Sequence, residues 1–201
     1  MKIGSVDIRV NRIIRYLILG DLIVEGAFGL ISPIFAIFII ERIVGGTSFT
    51  AGLAQAIYLL LFSLVRVPVA VYLDGKEGEG DEFWAMFLGF LVWSFVPFGY
   101  IFCRFPWQVY ILQAIQGISI ATAYAGYMSV FTTHIDHKEK ATEWGIDASA
   151  VGIATGLTAA IGGALAANFG FNLVFFLAGI FGLSGSLTIF ALRRNFLYAG
   201  K

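Results

Sequence analysis

Six long runs of apolar residues divide the chain, at roughly 16–40, 51–73, 83–104, 106–132, 142–167 and 171–192. The hydrocarbon core of a bilayer, about 30 Å thick, is crossed by about 20 apolar residues in a helix. Each run therefore predicts a membrane-spanning helix. The second ends before Asp74, the fourth opens on Pro106, a favoured first-turn residue, and the sixth stops at Arg193 and Arg194. The longest connections are 74–82, rich in glycine and acid, and 133–142, of mixed charge. The expected fold is an all-α integral membrane protein: a tail at 1–15, a six-helix transmembrane domain at 16–194 and a tail at 195–201. The first run is too long for a cleavable signal, carries two carboxylates and is followed by further spans. The apolar residues between the charges of 1–15 fit either a short helix on the membrane surface or a solvated tail.

Composition points the same way. Hydrophobic residues make up 59% of the 201 and charged residues 13%, with a mean hydropathy of +0.86. Soluble domains carry about 25% charge. Net charge is zero and no basic block suggests nucleic acid. Cys103 is the single cysteine, which excludes an intrachain disulfide and a cysteine metal site. His134 and His137, the two histidines, read as solvated loop residues, and neither metal nor cofactor is expected. With six spans both termini share a side, which holds ten of the Lys and Arg residues against Arg42 and Arg104 opposite. The positive-inside bias then places both termini in the cytoplasm.

The exceptions to the apolar pattern are the candidate chemistry. Asp21 and Glu25 lie four apart in the first run and share a helix face, which continues through Gly29 and Ser32 to Pro33. A carboxylate at mid-span costs about 2.5–3.5 kcal/mol on an insertion scale, so such groups face a bundle interior or a wet cavity and mark ion or solute paths. Arg66 falls at matching depth in the second run and is expected to pair with Asp21 or Glu25. One carboxylate is then left over, balanced between desolvation and the cation and able to carry a proton. Arg66 snorkelling to the interface, or a static latch, are the structural alternatives. Gln113, Gln116, Tyr124 and Tyr127 lie on nearly one face of the fourth run, with amides and hydroxyls to bind a polar solute and rings to stack on it. Interhelical hydrogen bonding is the alternative. In the fifth run, Gly152, Gly156, Gly162 and Gly163 make a small-residue face suited to close helix packing. Glu143 fits a helix N-terminus, whereas Asp147, four residues on, lies deeper.

Three places resemble the major facilitator superfamily, specifically one six-helix half of it. The loop after the second helix follows Gly-x-x-x-Asp-Arg-x-Gly-Arg-Arg in that family; here it reads Ala70 to Gly78 with Asp74 in register and the basic run replaced. The Arg-x-x-Gln-Gly of the fourth helix is matched by Gln113, Gln116 and Gly117, without the arginine. The Gly-Pro-x-x-Gly-Gly element is matched at 158–163 by Gly162 and Gly163, without the antiporter proline. The resemblance implies twelve helices in two parallel halves, which six helices complete as a parallel homodimer. It implies further that the first and fourth helices line a central cavity, that Asp74 belongs to a gating loop, and that Gly152, Gly156 and Gly163 pack between helices or at the dimer interface.

The resulting expectation is a secondary-active transporter of a small polar, sugar-like solute, alternating access and coupled to protons through Asp21, Glu25 and Arg66. Gln113, Gln116, Tyr124 and Tyr127 would bind the solute. The alternatives are an uncoupled uniporter, a carrier of lipophilic cations, and a non-transporting assembly subunit. No nucleophile–base set lies in the spans, so no enzyme is expected.

Overall fold

The computed structural model describes residues 2–3, 6–7, 11–76, 78–136 and 139–193. The described residues form seven helices: α1 (Arg12–Ile31), α2 (Phe35–Arg42), α3 (Ser48–Asp74), α4 (Gly80–Tyr100), α5 (Pro106–His134), α6 (Lys140–Phe169) and α7 (Phe171–Phe190). Ahead of them β1 (Lys2–Ile3) pairs antiparallel with β2 (Val6–Asp7). The tail at 1–15 thus contains a strand pair and the first residues of α1, which begins four residues before the expected span. The tail at 195–201 lies outside the described residues.

Every apolar run forms a helix, and the first forms two. Pro33 has no N–H to give the carbonyl one turn back. The chain tightens there, with Ile34 N–H donating to Ile31 O at 3.0 Å, and α2 restarts at Phe35. Local chemistry explains the other starts. At α3, Thr50 N–H donates to Thr47 Oγ1 at 3.2 Å while Thr47 N–H donates to Thr50 Oγ1 at 3.3 Å, a reciprocal cap. At α5, Gln108 Oε1 accepts from the N–H groups of Arg104 and Phe105. Gly170, at φ 84°, joins α6 to α7 in a conformation that favours glycine.

Counting α1 and α2 as one span, five spans among the described residues are long and apolar enough to cross a membrane. The expected sixth, α5, matches them in length, but its Gln, Ser, Thr and Tyr content lowers its hydropathy and it is not among the five.

Two groups of helices emerge from the packing. In the first, α1 packs along α6 and α7; in the second, α5 packs along α3 and α4; α4 against α7 joins them. Two apolar clusters form the core, one around Leu17, Phe83, Phe90 and Phe131 and one around Phe38, Tyr100, Phe171 and Phe175. The α1–α6 crossing is close because Gly29 lies against Thr155 and Thr158, and Gly162 against Leu30. A Cβ at Gly152, Gly156 or Gly163 would meet nothing within 4 Å among the described residues. Within this chain the close crossing therefore uses Gly162, and Gly152, Gly156 and Gly163, expected between helices or at the dimer interface, take no part in it. Much of α3 and α6 is exposed, including Leu60, Leu64, Val67 and Val71 on one and Ile153, Leu157 and Ile161 on the other.

Candidate functional site

Asp21 and Glu25 sit one turn apart on α1, and both point at α5. Tyr124 Oη lies 2.9 Å from Asp21 Oδ1 and 2.9 Å from Glu25 Oε1. One turn further along α5, Tyr127 donates to Asp147 Oδ1 at 2.8 Å. Asp147 comes from α6 and lies within electrostatic reach of both α1 carboxylates. Asp21 and Asp147 are buried and Glu25 is half-buried. The two tyrosine rings meet edge to face at 5.8 Å, with Phe90 against Tyr124 and Phe131 against Tyr127. All three tyrosine–carboxylate contacts cross from the α3–α4–α5 group to the α1–α6–α7 group. Asp147 was the residue that sequence reasoning left unassigned. Its signal was its depth, one turn inside Glu143, and its partner could not be read from α6 alone. Glu143 itself is buried and accepts from Asp136 N–H at 3.1 Å, tying down the loop before α6.

Arg66 does not join the carboxylates. Among the described residues it forms no ion pair, and its guanidinium lies 5.3 Å from the Phe62 ring centre. The reason is tertiary: α3 packs on α5, and the stretch of α1 that carries Asp21 and Glu25 packs on α6 and α7. Equal depth brings no contact unless the side chains also face one another, and on α3 it is Tyr58, not Arg66, that comes within electrostatic reach of Glu25. Arg66 instead lines a groove of about 580 Å³ between α3 and α5 with Asp74, Ser129 and Thr132.

Gln113 and Gln116 form a different site from the tyrosines. They line a cavity of about 530 Å³ between α1, α2, α3, α4 and α5, walled by Phe28, Phe35, Trp93 and Tyr100 and also reached by Ser32 and Gln55. Among the described residues, no Asp, Glu, Lys or Arg lines it. Tyr100 donates to Gln116 Oε1 at 3.1 Å, which leaves the Gln116 amide hydrogens for other acceptors. Gln113 is 3% exposed and its Oε1 has no hydrogen-bond partner. The expected four-residue solute face therefore divides: the glutamines serve the cavity, and the tyrosine hydroxyls are taken by carboxylates. His134, expected in a loop, ends α5 instead, with Nε2 3.6 Å from Glu79 Oε2. His137 lies outside the described residues.

A sequence model of the Major Facilitator Superfamily matches residues 17–196. The chain belongs to the major facilitator superfamily. Among solved structures, the POT family transporter PepTSo, crystallised in meso, superimposes on this major facilitator chain with a TM-score of 0.71 at 14% identity. That match covers 94% of this chain and 39% of the transporter's. No curated protein matches the sequence. Membership of the superfamily and the five apolar spans support an integral membrane protein.

Proposed function

We propose that the chain is one half of a secondary-active membrane carrier. All six helical segments cross the bilayer, α5 included, with both termini in the cytoplasm, and two copies assemble as a parallel homodimer. The exposed apolar faces of α3 and α6, with open glycines at 152, 156 and 163, favour a second copy.

The solute site is the cavity of Gln113 and Gln116. Aromatic walls with amide groups and no ionised side chain suit a neutral, sugar-like solute, whose apolar face stacks while its hydroxyls bond the amides. A lipophilic cation finds no counter-charge there.

One observation carries the coupling: the single Tyr124 hydroxyl lies between two carboxylates. A hydroxyl has one hydrogen to donate. With both carboxylates ionised, two like charges share that hydrogen. With a proton on one, the carboxyl donates to the tyrosine oxygen while the hydroxyl donates to the other carboxylate, and each oxygen is satisfied. Proton loading therefore strengthens the tie between the two helix groups, and release weakens it. That is the linkage alternating access requires. Asp147 and Tyr127 extend the tie to α6 and stand ready as the next station for the proton.

The same contacts also suit an uncoupled uniporter, in which the carboxylates only latch the helices. Uptake of a panel of sugars into proteoliposomes, with and without an inward proton gradient, separates the two. Gradient-driven accumulation that disappears in the Asp21→Asn, Glu25→Gln double variant, with exchange retained, supports coupling. Gradient-independent equilibration in both proteins overturns it.

A further inference from the structure

We propose that the groove between α3 and α5 is an anion site that holds a phosphate group on Arg66, Ser129 and Thr132. This goes beyond the carrier reading and does not depend on it. Arg66 lies eight residues before the end of α3, about 12 Å along the helix axis. It is half-buried on a helix whose neighbouring positions are Leu, Val and Pro. A guanidinium keeps its charge at any pH a protein meets, and an unpaired charge in a span is expensive. Arg66 nonetheless has no protein counter-ion among the described residues. Phe62 covers one face of the guanidinium and leaves the N–H groups at its edge without an acceptor.

The groove supplies what those donors lack. Its volume is about 580 Å³, and Ser129 and Thr132 of α5 line it with hydroxyls that make no hydrogen bond among the described residues. Asp74 stands in the same groove two helical turns further on and does not reach Arg66. Thr133, whose hydroxyl is spent on Ser129 O at 3.0 Å, and the apolar Ala70, Leu73, Ala125 and Met128 complete the lining. A fork of N–H donors matches a phosphate in bidentate fashion, two neutral hydroxyls add donors without adding charge, and the apolar floor suits the carbon attached to that phosphate. The phosphate belongs either to a lipid headgroup or to a water-soluble phosphate.

The test uses the full chain in detergent and follows thermal unfolding. One arm adds dioleoylphosphatidylglycerol against dioleoylglycerol, which lacks the phosphate. The other adds inorganic phosphate against sodium chloride at equal ionic strength. Wild type is expected to be stabilised by a phosphate carrier, and Arg66→Gln to bind it about tenfold more weakly. Arg66→Lys keeps the charge without the fork and falls between. Stabilisation by the phospholipid alone assigns the site to a headgroup, and stabilisation by inorganic phosphate assigns it to a soluble phosphate. Equal shifts in wild type and Arg66→Gln, or no shift in either arm, overturn the proposal and leave Arg66 as a side chain that reaches for water. Should Arg66→Gln fail to fold, the Ser129→Ala, Thr132→Val double variant carries the test: it removes only the hydroxyls, and an undiminished phosphate response in it overturns the site.

Discussion

Along α5 two polar sites of opposite character lie about 12 Å apart, two helical turns between Gln116 and Tyr124. The tyrosine–carboxylate cluster is acidic, packed by aromatic rings and hydrogen-bonded throughout. The glutamine cavity has no ionisable carboxylate or cation, is walled by aromatics, and leaves a buried amide oxygen unpartnered. A site that must hold the protein's own helices together satisfies its polar groups internally. A site that must receive something else leaves room and an unmet hydrogen bond. In the proposed carrier the first site would serve coupling and the second recognition, and each of the following substitutions bears on one side of that division.

The largest effect is expected from Tyr124→Phe. Without the shared hydroxyl, gradient-driven accumulation in proteoliposomes should fall about tenfold, equivalent to about 1.4 kcal/mol, while solute exchange persists. Unchanged accumulation would leave the carboxylates without the coupling role. Tyr127→Phe comes next. It strips buried Asp147 of its hydrogen bond, and a group left unsatisfied costs about 1–3 kcal/mol, so the thermal midpoint should drop. An unaltered midpoint would show that Asp147 finds its stabilisation elsewhere.

Effects at the cavity are smaller and have a different signature. Gln113→Leu removes the unpartnered oxygen at nearly constant volume. Stability should rise by about 1 kcal/mol, while KM for solute increases and the pH dependence of uptake stays put. A loss of stability would mean that the amide is already satisfied. Tyr100→Phe frees the Gln116 amide to rotate; one neutral hydrogen bond is worth about 1 kcal/mol, so KM should rise about fivefold with the proton dependence unchanged. A shift in that dependence would join the two sites into one.

Much of this was legible beforehand, for a local reason. Helix boundaries follow from apolar run length, from Pro106, and from the charges that close each run. Asp21 and Glu25 stood out because a carboxylate has no business in a run of Leu, Ile and Val without a partner. The first run reads as one span, and the break that Pro33 makes between α1 and α2 was not expected from its length. Gln113 and Gln116 were visible on one face with Tyr124 and Tyr127, yet a helix face does not say what each turn of it meets.

Run length, periodicity and the rarity of charge in apolar segments determined the helices, the family resemblance and the unusual acids, because those properties depend on residues near one another along the chain. Which groups touch was decided only by tertiary packing. The packing of the helices turned Arg66 into the α3–α5 groove, away from the partner its depth suggested, and delivered Asp147 from α6 to Tyr127 of α5. Depth along a helix axis is written in the sequence; the angular position of each helix in the bundle is set by which faces interdigitate, and that is a property of all the helices at once.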